Sequence, residues 1–365
     1  MTDFANRIES LAANLRESNI DCMFISPSSD LRYFTGYKAL PLERLTCLAV
    51  TRDGDATLIV PRLELPAAAV HSPEAFGVRL VSFEETEDPF ARLRNEVGVI
   101  QSAVVNDVMW AQKAFALQQA FNAKIATQGE IISKLRAVKS SEEVEFIADA
   151  GRAIDAVHSN MNAWLRAGRT EREVSRDIAD AILSSGHEQV DFVIVASGPN
   201  GASAHHEVSD RVIEPGDSVV VDIGGTMPSG YCSDSTRMYS IGEPCGEFSE
   251  FYEVLKFAQS SAVSQARVGM SGAQVDAIAR DILEAAGLGQ YFVHRTGHGL
   301  GLDTHEDPYI VASNDEVLVK GNVYSIEPGF YISNKFGARI EDIVVLTETG
   351  ATSVNNTSHE LAVLN

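Results

Sequence analysis

The chain has 365 residues, 45% of them hydrophobic, with 51 acidic against 29 basic side chains and a net charge of -22. At about 150 residues per domain, this length predicts two domains, each with enough apolar side chains for a core. So negative a chain excludes nucleic acid and anionic lipid as partners, because phosphate recognition needs a local excess of lysine and arginine.

The start MTDFANRIESLAANL lacks the basic residues and apolar run of a leader, and no apolar run approaches the roughly 18–20 residues of a membrane span. A cytoplasmic protein without membrane contact is expected. Cys22, Cys47, Cys232 and Cys245 are too dispersed for a zinc ribbon or a disulfide framework. In chain order, FANRIESLAANLRES has helical periodicity and IDCMFIS is a buried-strand run. LTCLAVTRDGDATLIV reads as two strands around Asp53-Gly54, and VRLVSF and SAVVND add two more. Together they predict a small α/β domain over residues 1–130. ISKLRAVKSSEE then reads as a linker entering a helix capped by Ser140-x-x-Glu143. Thr170-x-x-Glu173 and Ser271-x-x-Gln274 open two further helices. The strand-like runs DFVIVAS, DSVVVDIGG, GYCSDSTRMYS, NVYSIEPGFYI and ARIEDIVVLTE complete an α+β domain, mostly antiparallel, over residues 131–365.

Those strands carry acids where apolar residues belong: Asp222, Glu327 and Glu341. A buried carboxylate costs several kcal/mol unless paired or bound to a cation. Asp222 and Asp234 lie twelve residues apart around Gly224, Gly225, Pro228 and Gly230, so a hairpin sets them side by side, where only a metal relieves their repulsion. HRTGHGLGLDTHEDP supplies His294, His298 and His305, and the glycines flanking His298 allow close backbone approach. GHGLG lacks the spacing and strand-to-helix context of a dinucleotide loop. Four carboxylates and one imidazole make a poor structural zinc site but suit two ions such as manganese or cobalt. Two ions about 3.5–4 Å apart can hold a hydroxide and polarise a carbonyl, so hydrolysis is implied. Arg339, two residues before Glu341, shares its face on a strand and could bond the carboxylates.

These segments resemble the pita-bread metallopeptidases, the family of methionine aminopeptidase, aminopeptidase P and prolidase. The likeness is dense over residues 135–361. VDIGG is similar to the segment of the first metal aspartate, Asp222, and GYCSDSTR to that of the second, Asp234. TGHGLGLDTHE resembles the stretch bearing the metal histidine, His298, and a substrate histidine, His305. SIEPGFY and RIEDIVV resemble the segments of the last ligands, Glu327 and Glu341. SGPNGASAHHEVSDR looks like the stretch around a substrate-binding histidine, which falls on His205, with His206 as the alternative. His294 matches a further active-site histidine of aminopeptidase P relatives, and SSDLRYFTGY resembles a segment of the proline-specific enzymes' N-terminal domain.

The resemblance implies a pita-bread α+β catalytic domain behind a smaller creatinase-like α/β domain. It implies Xaa-Pro dipeptidase activity by a metal-bridging hydroxide, with Glu327 as general base and His205, His294, His305 and Arg339 assisting. Aminopeptidase P activity on longer proline-containing peptides is the alternative. Two divalent ions are implied, manganese foremost and cobalt or zinc as alternatives, and so is a homodimer. A creatinase-like C–N hydrolase or a metal-free binding protein would lack the five ligands that this chain has. Between HEDP and SIEP there is no arginine, only Lys320, where several prolidases carry one for the free carboxylate of a dipeptide.

Overall fold

The structure, a computed structural model, describes residues 3–365 and divides into two compact units, the first running to Arg136 and the second Ala137–Asn365. In the first, α1 (Phe4–Glu17) forms because Ile8, Leu11, Ala12 and Leu15 recur at helical spacing and are buried, and because the Asp3 side chain accepts from Asn6 N. There follow β1 (Cys22–Ile25), α2 (Ser29–Thr35), β2 (Cys47–Thr51), β3 (Ala56–Pro61), α3 (Leu65–Ala69), β4 (Val78–Phe83), α4 (Pro89–Val97), β5 (Ser102–Val105), α5 (Ala111–Phe121), β6 (Lys124–Thr127) and α6 (Glu130–Ala137). The strands form one mixed sheet in the order β4-β3-β2-β1-β5-β6. The stretch read as a linker is mostly α6, whose Ile131 and Ile132 are buried.

The second unit contains α7 (Ser141–Ser159), α8 (Glu171–Ser184), β7 (Gln189–Ser197), β8 (Ser218–Thr226), β9 (Cys232–Ile241), α9 (Gly246–Gln265), α10 (Gly272–Ala285), β10 (Gly297–Gly299), β11 (Glu306–Ile310), β12 (Val323–Ile326), β13 (Gly329–Ile332), β14 (Phe336–Arg339), β15 (Asp342–Thr347), β16 (Gly350–Ser353) and β17 (Ala362–Leu364). All three expected capping boxes form, at the starts of α7, α8 and α10. One sheet runs β17-β9-β8-β7, a second β11-β10-β12-β15-β16, and β13 pairs with β14. Each larger sheet has its own helix layer. Ile154, Val174, Ile178 and Ile182 of α7 and α8 pack with Val195, Val219, Val221 and Ile223. Phe248, Tyr252, Leu255, Val275 and Leu283 of α9 and α10 pack with Tyr324, Ile326, Val344 and Leu346. At roughly 1.5–3 kcal/mol for each large apolar side chain buried, these layers hold the strands in fixed register.

Two runs that read as single strands are each broken. NVYSIEPGFYI divides at Glu327-Pro328, because Pro328 has no N–H for a ladder. ARIEDIVVLTE divides at Ile340-Glu341, where Glu341 N turns to Thr236 O. The breaks release Glu327 and Glu341 from the alternation of a strand. Among the described residues no helix is long and apolar enough to cross a membrane.

Candidate metal centre and active site

The β8–β9 hairpin sets the first two acids. Asp222 pairs with Thr236 and Gly224 with Asp234, so with a period of two all four share one face. Asp222, Asp234, His298, Glu327 and Glu341 all line one cavity of about 770 Å³, together with His205, His206, His294, His305, Arg295 and Arg339. Ligand-capable atoms of Asp234, His298 and Glu341 lie within 4.8 Å of one another. His298 Nε2 is 3.0 Å from Glu327 Oε1 and 3.7 Å from Asp234 Oδ2.

His298 is placed by glycine. A Cβ on Gly297 would stand 1.9 Å from Ser325 O, and one on Gly299 would stand 2.2 Å from Asp307 O. Backbone cannot yield as a flexible side chain does. Gly297→Ala is therefore expected to destabilise the protein by about 3 kcal/mol, read from the urea midpoint; a midpoint equal to the parent's would show that β10 can shift.

The charges explain what the cavity needs. Burial raises the Asp222 pKa, and Glu327 adds to the rise while Arg339 opposes it. Burial and then Glu341, Asp222 and Glu327 push Asp234 far up, and burial with Glu327 and Asp222 does the same to Glu341. Glu327 goes the other way: burial raises it, but the hydrogen bond and charge of His298, with His294 and Arg339, hold it at about 2. Asp222 Oδ1 is buried without a hydrogen-bond partner among the described residues. A buried, unbonded carboxylate oxygen beside like charges is costly unless a cation occupies the space. The residues present thus fit a divalent metal.

Arg339 ties the acids together. It donates to Asp222 Oδ2, to Thr236 Oγ1 at 3.0 Å and to Tyr331 Oη at 2.6 Å, and Thr236 donates onward to Glu341 Oε2 at 2.8 Å. It reaches Glu341 through Thr236, since the strand is broken between Arg339 and Glu341. The histidines differ in freedom. His294 has both ring nitrogens engaged, with Arg295 O at 2.7 Å and Tyr331 Oη at 3.0 Å, and burial lowers its pKa. His305 packs edge-on to His298 with ring centroids 4.1 Å apart; burial, then His298 and Arg295, bring its pKa to about 4. His205 is exposed and its ring makes no hydrogen bond among the described residues. His206 is committed instead, its Nε2 lying 2.8 Å from Glu171.

Sequence reasoning missed Thr236, Tyr331 and Glu171. Thr236 was readable, two residues from Asp234 on the same strand face. Tyr331 was not, because it meets Arg339 diagonally across the β13–β14 hairpin, whose register only the fold supplies.

A carboxylate-rich cavity with one central imidazole, built on the two sheets of a pita-bread unit, defines a metal-dependent hydrolytic enzyme. Residues 145–348 match the model of metallopeptidase family M24, and residues 7–138 match that of the creatinase/prolidase N-terminal domain. The chain belongs to metallopeptidase family M24 and is a metallopeptidase acting on peptide substrates. It is 46% identical over 362 residues to a Mycobacterium tuberculosis protein named "Probable dipeptidase PepE", covering 99% of this chain and 96% of the relative. It is 35% identical over 362 residues to the Xaa-Pro dipeptidase of Lactobacillus delbrueckii subsp. lactis, covering 96% of each. The crystal structure of dipeptidase PepE from Mycobacterium ulcerans superposes with a TM-score of 0.93 at 47% identity, covering 99% of this chain and 98% of that one.

Proposed function

We propose that the chain is a dinuclear metallopeptidase cleaving the bond before proline, an Xaa-Pro dipeptidase, with aminopeptidase-type cleavage of longer peptides as the alternative. One observation carries the reading: five potential ligands from five separate segments line a single cavity in which an acid oxygen is buried and unbonded. The name of the Lactobacillus relative supports the substrate class, and Phe192 and Ile194 give the cavity an apolar wall suited to a pyrrolidine ring.

Asp222, Asp234, His298, Glu327 and Glu341 would hold two ions, manganese by the hardness of the set, with cobalt or zinc as substitutes. When bound, the ions supply an activated water and polarise the scissile carbonyl. Glu327 takes the proton of the attacking water. His205 and His305, whose rings make no hydrogen bond among the described residues, bind the substrate and pass a proton to the departing nitrogen. Arg339 and Thr236 fix the acids, and His294 fixes Tyr331 beside Arg339. A homodimer is proposed on the resemblance alone, with sedimentation as its test.

The experiment is Leu-Pro hydrolysis by chelated and manganese-loaded protein. Activity confined to the loaded form supports the reading, and full activity after thorough chelation would overturn it. Stability gives a second readout. Manganese at about 100 times its Kd adds about 2.7 kcal/mol per site, raising Tm by several degrees. Asp234→Asn removes a repelling buried charge, so the metal-free variant should melt no lower than the metal-free parent while losing most of the manganese-induced rise. An undiminished rise would remove Asp234 from the ligand set.

A further inference from the structure

The wall of the cavity contains two guanidinium groups, Arg339 and Arg295. Arg339 is spent: it is buried and donates to Thr236, Tyr331, Asp222 and Ala204 O. Arg295 is half-buried, and among the described residues its guanidinium has neither a carboxylate nor a carbonyl partner. Instead it lies 4.5 Å over the ring of Tyr309, on β11, the strand that begins at Glu306 just after His305. Stacking on an aromatic face steadies a guanidinium and leaves its N–H edge available. Lys320, the sole basic residue between HEDP and SIEP, is tied to Glu348 at 2.7 Å and is absent from the lining.

Five acids, Asp222, Asp234, Glu327, Glu341 and Glu207, share the wall with five histidines and the apolar Phe192 and Ile194. A free carboxylate that enters the cavity gives up its water and needs a cation or hydrogen-bond donors in exchange. In a dipeptide the free carboxylate comes one residue past the scissile bond, about 3.8 Å further along the chain. It cannot stay in bulk water while the peptide bond reaches the acids. A planar guanidinium meets that need with two parallel N–H···O bonds, whereas a longer peptide presents a neutral amide at the same point.

We propose that Arg295, steadied on Tyr309, is the specificity-determining residue that docks the free carboxylate of a dipeptide. This rests on the peptidase reading above and adds the choice of length to it. The test compares Leu-Pro, Leu-Pro amide and Leu-Pro-Gly on manganese-loaded full-length protein, as wild type and as Arg295→Met, Arg295→Lys and Tyr309→Phe. The wild type should prefer the free acid over the amide by about 100-fold in kcat/KM. Arg295→Met should lose about 100-fold on Leu-Pro, mainly through KM, and less than about threefold on the amide. Arg295→Lys should recover part of the loss, and Tyr309→Phe, which keeps the ring face, should match the parent.

A merely structural role would lower acid and amide alike. Equal losses on the two, no loss on Leu-Pro, or a wild type indifferent to the amide would each overturn the proposal. Should Arg295→Met not fold, the wild-type preference and the Lys variant read the same ratio. Should the wild type cleave no proline peptide, the proline reading falls by itself, and Leu-Leu against its amide tests Arg295 on the same variants.

Discussion

With Glu327 replaced by Gln, turnover of Leu-Pro is expected to fall by about 10³-fold or more at saturating manganese, with KM little changed. The amide keeps the volume, and its oxygen can still approach a cation and accept from Ser325 Oγ, which lies 3.0 Å from Glu327 Oε1. What it cannot do is take a proton. The carboxylate is held ionised, its pKa brought to about 2 although burial raises it, because His298 bonds to it and His294 and Arg339 add their charges. An ionised carboxylate of this kind is the form that accepts a proton from water. Measuring kcat against manganese concentration separates two roles: a residue that only binds metal is rescued by excess ion, whereas a missing proton acceptor is not. A kcat within about tenfold of the parent at saturating metal would remove Glu327 as the base.

That these residues share one cavity was legible because Asp222, Glu327 and Glu341 interrupt apolar runs, Asp234 returns from Asp222 around a glycine-rich turn, and glycines crowd His298. What was hidden depended on tertiary register. Glu327 and Glu341 were read as members of continuous strands, yet the Pro328 break and the turn of Glu341 N to Thr236 are what present them to the cavity. The linker reading of residues 131–142 failed because the strong capping box at Ser140 drew the helix start forward, while Ile131 and Ile132 already formed the buried side of α6. Glu171 escaped for a related reason. Beside the capping pair Thr170 and Glu173, it looks like one more solvated acid in a first turn, and only the return of a distant loop makes it a buried one.

That loop makes Glu171 the second side chain whose loss should be severe. It is fully buried, and every contact is a donor: Ser197 N at 2.8 Å and Oγ at 2.7 Å, Asn200 Nδ2 at 3.0 Å, His206 Nε2 at 2.8 Å, and Ser209 N at 3.2 Å and Oγ at 2.6 Å. The donors come from both ends and the middle of the segment 197–209, which carries His205 and His206 to the cavity. Removing the carboxylate leaves backbone and side-chain donors buried without an acceptor, so Glu171→Ala should cost about 3–5 kcal/mol and lower kcat about 100-fold as His205 loses its placement. Glu171→Gln should rescue little, because its NH₂ would face donors. The acid limb carries the sign. Burial raises the Glu171 pKa, but Ser209, Ser197, Asn200 and His206 bring it from 4.5 to about 2. A depressed carboxylate stabilises the fold above its unfolded pKa, and that contribution, about 3 kcal/mol, is lost as pH falls from about 4.5 toward 2. The stability gap between the parent and Glu171→Gln should therefore be full at pH 6 and close across that window. A gap that stays constant down to pH 2, or a variant with undiminished kcat, would show that the loop is held by something other than this charge.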